Sequence, residues 1–336
     1  MNIKTLGIDL SKHIFQLHGV DTAGKPVLKK KLSREKLPEF MATLSPCKVV
    51  MEACGGANFW AREFKKAGHE VSLISPQFVK PFVKGNKNDR NDSEAIVEAA
   101  SRPTMRYVSP KTTEEQDMQT LLRLRESCIK TRTQMSNQIR GLLSEYGIVI
   151  PQSIARLHKA VPDLYDRAQD NGLSEFFKSL LEMQFELFKK LEEQIETYDQ
   201  KLKALVKASE ACQKVMAIEG VGPVTALALI IAIGNATEFK NGRHFAAFIG
   251  LVPRQHSSGG RDRLLGISKR GDNYLRQLLI HDARAALINS GKKTDSRSLW
   301  MNKLKERRGH NCTVVALANK TARTALAILK KVKIIR

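Results

Sequence analysis

Asp9, Glu52, Asp89 and Asp92 have the types and spacing that two-metal phosphodiester chemistry requires. That chemistry needs several carboxylates converging so that two divalent ions sit about 4 Å apart and flank the attacking and leaving oxygens. Asp9 closes the apolar run in LGIDLSK and Glu52 closes KVVMEACGG, so both read as acids at strand ends, held by the strand and projecting above the sheet. Asp89 and Asp92 in KNDRNDSEA stand three residues apart where a helix begins, which places them on one helix face. Taken singly, each of the four reads as a helix cap or a loop-facing acid. Taken together they make a complete set.

A second candidate constellation lies in GLVPRQHSSGGRDRLLGISKRGDNYLR, where Ser257 and Ser258 precede two glycines. Glycines let a hydroxyl approach phosphorus closely. The flanking Arg254, Arg261, Arg263, Lys269 and Arg270 have the charge to stabilise a pentavalent phosphoryl transition state. A Ser-Gly loop alone reads as a solvent-exposed turn, and the arginines are what argue for chemistry. His256 is a candidate general base. Upstream, Gly220 and Gly222 in VMAIEGVGPVTAL lie between two apolar helical runs. That is the layout of a helix-hairpin-helix element, which aims backbone N–H groups at phosphate, or of a plain tight helix-helix turn. His281 and Asp282 form an HD pair without a second histidine-aspartate cluster at metal-ligand spacing.

The elements that must position these residues follow from period and punctuation. Residues 3–8, 13–20 and 26–32 read as three strands of a meander. A helix at 34–44, a strand at 48–51, a helix at 57–67, a strand at 70–74 and a helix at 91–101 come next. This is an α/β layout in the order of a ribonuclease-H-like fold. From 114 to 146 the pattern is helical. Beyond Pro151 the seam Leu173, Phe177, Leu180, Gln184, Leu187, Leu191, Gln194, Tyr198, Leu205 predicts a coiled-coil or helical-hairpin arm, or a helix packed in a bundle. Basic helices and the 254–266 loop fill the remainder. The expected domains are 1–108, α/β and catalytic; 109–208, a helical coiled-coil region; and 209–336, mainly α with the hairpin and serine loop.

Composition is globular, with 42% hydrophobic and 27% charged residues, and the formal charge is +22. Residues 240–336 hold 22 Lys and Arg against 5 Asp and Glu, so the C-terminal third is the expected surface for a polyanion. Five widely spaced cysteines without a CxxC pair read as reduced thiols. No leader-like run and no span of membrane length stand out, so a cytoplasmic, nucleoid-associated protein without a membrane partner is expected.

In GIDLSK, MEACGG, KNDRNDSEA, IEGVGPVTA and GLVPRQHSSGG with ISKRGDNYLR, taken in that order, the chain resembles the DEDD transposases of the insertion-sequence-110 type and the related Piv-type DNA invertases. The resemblance implies that Asp9, Glu52, Asp89 and Asp92 ligate Mg²⁺ (or Mn²⁺) in a RuvC-like domain. It implies that Ser258 is the nucleophile, with Ser257 one residue away at a variable motif position. It further implies DNA partners (element ends and target), an element-encoded guide RNA and a homo-oligomer, dimer or tetramer. Two other functions compete: a Holliday-junction-type endonuclease that uses water as its nucleophile, and a non-enzymatic nucleic-acid-binding protein whose acids are caps. The charge alone predicts that affinity for DNA falls about 10³- to 10⁵-fold between 50 and 200 mM salt, as for neutralisation of about 6 to 10 phosphates. A flat titration by fluorescence anisotropy refutes this.

Overall fold

The computed structural model describes residues 2–84, 89–166 and 172–334, and the chain divides into two compact units, Met1–Gln116 and Asp117–Arg336. In the first, β1 (Thr5–Asp9), β2 (Ile14–Val20) and β3 (Pro26–Ser33) form the meander. Asp21 shapes its second turn by accepting the Ala23 and Lys25 N–H groups, both at 2.9 Å, while Gly24 takes φ 76°. Then follow α1 (Lys36–Thr43), β4 (Lys48–Glu52), α2 (Ala57–Lys66), β5 (Glu70–Ile74), α3 (Pro76–Val79), α4 (Asp89–Ala100) and β6 (Tyr107–Val108).

These strands make one six-stranded mixed sheet in the order β3-β2-β1-β4-β5-β6. β1, β4 and β5 run parallel, and the outer strands pair antiparallel. The arrangement is consistent with the expected ribonuclease-H-like α/β fold. Side chains alternate across the sheet. Leu6, Ile8, Val49 and Met51 join Phe15, Trp60 and Phe64 in one core, whereas Val50 and Ile74 pack with Ile96 and Ala99 of α4 in the other. Gly7 pairs with Val50 on this second face. A Cβ built on Gly7 would stand 2.6 Å from Val97 Cγ2 and 2.7 Å from the Ser93 carbonyl oxygen, so α4 lies directly on the β1 backbone.

The second unit is mainly helical. α5 (Thr113–Ser144), whose first turn belongs to the first unit, is followed by α6 (Ile154–Asp166) and α7 (Glu175–Ala208). Ion pairs Arg125–Asp199 and Arg132–Glu192 set α5 and α7 antiparallel. The stripe that α7 buries is Phe177, Leu181, Phe185, Phe188, Ile195, Leu202 and Val206. It departs from the expected seam: Leu180, Leu187 and Leu205 are exposed. Apolar residues occupy two adjacent columns of this helix, and the column carrying Phe185 and Phe188 removes more area from water.

α8 (Glu210–Met216), α9 (Pro223–Ile233), α10 (Gly242–Phe248), the hairpin β7 (Pro253–Gln255) and β8 (Leu264–Ile267), α11 (Asn273–Ile288), α12 (Ser296–Arg308) and α13 (His310–Ile334) complete the unit. Contrary to the sequence expectation, one stretch among the described residues, His310–Lys331, is long and apolar enough to cross a membrane. Half of it is buried, with Leu317, Ala318, Ala322, Ala325 and Leu326 inside the core.

Because a methyl group at Gly7 meets a helix carbonyl as well as a valine methyl, Gly7→Ala must lift α4 off the sheet. Overpacking of this kind costs about 1–3 kcal/mol. Urea unfolding should show that loss, whereas Gly55→Ala, with nothing within 4 Å of an added Cβ, should change stability little.

Candidate active site

Asp9 and Glu52 are the last residues of neighbouring parallel strands. By strand alternation Asp9 shares a face with Gly7 and Glu52 with Val50, so both belong to the face that α4 covers. Both are half-buried. Their charges act on one point: the Cys54 thiol is pushed up first by burial, then by Glu52, then by Asp9. Open α/β sheets place their ligand sites in such crevices beyond the carboxyl ends of parallel strands. α4 begins at Asp89, and the half-buried Asp92 precedes Ser93, the residue whose carbonyl lies over Gly7. Three of the predicted acids are thus carried by elements in direct contact. The side chain of Asp89 lies outside the described residues. Among the described residues, no three Asp, Glu, His or Cys side chains already stand at metal-holding geometry.

Ser258 lies in the β7–β8 hairpin, whose tip turns through Gly259 and Gly260 at φ 57° and 76°, with Arg261 N–H donating to the Ser258 carbonyl at 3.1 Å. Successive positive φ values are what a two-residue hairpin turn needs. The two serines differ in their bonding. Ser257 Oγ accepts from Gln255 Nε2 at 2.9 Å, and the same amide donates to Asp262 at 3.0 Å. Ser258 Oγ has no hydrogen-bond partner among the described residues and is exposed. Arg254, Arg261 and Arg263 are exposed on the same hairpin, Lys269 and Arg270 are exposed at its root, and His256 N–H donates to the Arg263 carbonyl at 2.9 Å.

The root of the hairpin is rigid. A Cβ on Gly250 would lie 2.4 Å from both the N and O of Arg270, and one on Gly271 would lie 2.1 Å from the Phe248 carbonyl oxygen. Into this junction the buried Arg276 of α11 donates Nη1 to the carbonyls of Ile249 (3.0 Å) and Arg270 (2.7 Å). Sequence reasoning did not single out Arg276, although it ends the ISKRGDNYLR run; a basic residue on a basic helix gives no sign of burial.

The α8–α9 connection puts Gly220 in the left-handed region at φ 88°, with an added Cβ 3.3 Å from the Asp282 carbonyl. Gly222 caps α9, ahead of Pro223. Its N–H and the Thr225 side chain lie towards a carboxylate of the protein itself, that of Asp282, and both act to lower the pKa that burial raises. The tip is also tied down, since Glu219 pairs with Lys293 and Arg297. Asp282 of the HD pair therefore sits beside the N-terminus of α9.

The family model described as "Transposase IS116/IS110/IS902 family" matches residues 212–298, and a DEDD transposase model of the IS110 type, described as "Transposase", matches residues 6–148. Among curated proteins, the chain is 48% identical over 330 residues to the transposase for insertion sequence element IS1111A of Coxiella burnetii, covering 98% of this chain and 90% of the relative. It is 45% identical over 331 residues to a probable family 20 transposase of Pseudomonas aeruginosa, covering 98% of each. It is 22% identical over 223 residues to the pilin gene-inverting protein of Moraxella bovis, covering 64% and 59%.

Burial raises the Asp282 carboxyl, against the lowering by Thr225 and Gly222, and its Oδ2 is buried without a partner. A carboxyl raised on folding favours the fold while protonated. That contribution is present below the unfolded-state value and is lost as pH rises through the acidic range towards the folded value. Asp282→Asn keeps an acceptor beside the Gly222 amide without the charge, so urea unfolding should show it gaining on wild type as pH rises from 4 to 7. Asp282→Ala, which removes the carboxylate beside the Gly222 amide, should lose about 1–2 kcal/mol. A wild-type-minus-Asn difference independent of pH refutes the assignment.

Proposed function

The chain belongs to the IS110 family of DEDD transposases, enzymes that cleave and rejoin DNA, and from that premise we propose that it does so with a serine nucleophile and a carboxylate-bound divalent cation. The placement of Asp9 and Glu52 carries this reading: two carboxylates at adjacent parallel strand ends act on one point, with α4 pinned beside them at Gly7. All-oxygen donors suit a hard cation such as Mg²⁺ or Mn²⁺. Asp9, Glu52, Asp89 and Asp92 would hold it, and when bound it would stabilise charge on the phosphoryl oxygens.

Ser258 Oγ attacks phosphorus. The Oγ–P bond forms, the serine proton passes to a base, for which His256 is the nearest histidine in sequence, and the P–O bond to the departing deoxyribose oxygen breaks as that oxygen takes up a proton. A hydroxyl of the new partner strand then reverses these steps, so the phosphodiester is conserved without an external energy source. The exposed Arg254, Arg261 and Arg263 offer guanidinium groups to the transferring phosphoryl. The free hydroxyl of Ser258, against the engaged one of Ser257, supports the choice of nucleophile. On this reading the protein works as a dimer or tetramer in the cytoplasm with DNA and an element-encoded guide RNA. The domain limits 1–108, 109–208 and 209–336 remain our proposal beside the compact units described above.

The test uses a labelled DNA substrate on denaturing gels. Asp9→Ala and Asp92→Ala should abolish strand cleavage while binding persists, because the basic charge resides in residues 240–336. Ser258→Ala should lose the covalent protein–DNA adduct, and Ser257→Ala should keep it. An adduct that survives Ser258→Ala and vanishes in Ser257→Ala overturns the assignment. Metal-dependent cleavage without any adduct replaces it with an endonuclease that uses water.

A further inference from the structure

In the second unit a groove of about 1240 Å³ runs beside the serine hairpin. Its floor is one face of α13 from Asn311 to Ala327, about 24 Å of helix at 1.5 Å per residue. One wall is the hairpin itself, Pro253 and Leu265–Ile267, and the others are the start of α10 and Trp300 of α12. Arg243, Lys320 and Arg323 line it, all exposed, and not one lining residue is acidic. Between the cations the floor is small and apolar, with Val315, Ala316 and Ala327. Asn319 fixes the frame by donating to the Leu251 carbonyl at 2.9 Å.

Trp300 is the distinctive feature. The chain has two tryptophans: Trp60 is buried and stacked on Phe64 in the first unit, whereas Trp300 is half-buried and faces the groove. Lys320 Nζ sits 4.6 Å from the Trp300 ring centroid. An indole with a flexible cation over its face, in a basic groove, is a stacking platform with a removable cover: a base displaces the ammonium from the ring, and the ammonium moves to the phosphate beside it. Duplex DNA keeps its bases inside its own stack. A lone aromatic platform in a concave groove therefore selects an unpaired strand.

We propose that this groove binds single-stranded DNA, stacking one base on Trp300 and contacting phosphates through Arg243, Lys320 and Arg323. DNA is the occupant because the groove shares its wall with the Ser258 hairpin, so a strand opened at that serine has the groove alongside. In this respect the inference rests on the nucleophile reading above.

The test uses the full-length protein without divalent ions, so cleavage does not enter. A 15-nucleotide single-stranded DNA should quench the Trp300 emission, with Trp60 as a constant background. Trp300→Ala should weaken single-strand binding about tenfold, as loss of one base–aromatic stack does. It should leave binding of a blunt duplex of the same sequence within about twofold, and Trp300→Phe should retain most of the affinity. Lys320→Ala and Arg323→Ala, both at exposed positions, should each lower the salt slope for single strands by a little under one. Unchanged single-strand affinity in Trp300→Ala and in the Lys320→Ala, Arg323→Ala double variant overturns the proposal. So do equal losses for single strand and duplex, and so does quenching by RNA of the same sequence with none by DNA. Ser258→Ala protein should quench as wild type does. If quenching survives while the serine adduct is never found, the nucleophile reading falls and the groove stands.

Discussion

The proposed carboxylate site depends on an atom that is missing. β1 and α4 approach so closely at residue 7 that a single methyl group would overlap a helix carbonyl and a valine methyl. This contact sets the height of α4 above the sheet, and Asp92 lies one residue from the carbonyl that makes it. Geometry at a phosphoryl centre tolerates displacements of only about half an ångström. A strand–helix contact made backbone to side chain, with no long side chain between, has little freedom to drift. The parallel β1–β4 register does the same for the other two acids, because it ends both strands at the same level.

The serine hairpin is built on the same principle and to the opposite effect at its tip. At its root Gly250 and Gly271 allow backbone to touch backbone, and a buried guanidinium collects the carbonyls of Ile249 and Arg270. Buried carbonyls without a donor are costly, so Arg276 both satisfies this turn and locks it. From Pro253 to Gly266 every side chain is exposed, and the turn rests on glycines in the left-handed region. A rigid base with a solvated tip suits the role proposed for Ser258, whose hydroxyl would adapt to substrate while its anchor stays fixed.

Local pattern made much of this legible, and contact at a distance hid the rest. The meander, β4, α2 and β5 follow from period and turn chemistry, and the acids at the ends of β1 and β4 could be read because a strand end is a local event. Gly7 could not, since its role exists only once α4 is docked. On α7, Leu180 and Leu181 stand side by side, as do Leu187 and Phe188, and the pattern contained both stripes without saying which would be buried. The hairpin glycines suggest amides aimed at phosphate, and nothing local signals that Asp282, sixty residues later in the chain, stands beside Gly222. Arg276 and Trp300 carried no signal of their own.

Charge distribution explains why binding and chemistry are assigned to different stretches of one chain. Clustered carboxylates repel phosphate, so the residues proposed to act on the phosphodiester oppose its arrival until a cation sits among them. Between Lys240 and Arg336, 22 basic residues against 5 acidic ones supply the opposing attraction. The energy comes from counterion release along the backbone and does not depend on sequence. On the proposed reading this basic part holds DNA without choosing among sequences, and selectivity would come from the guide RNA and from the fit of the scissile bond, or of unpaired bases, to the site.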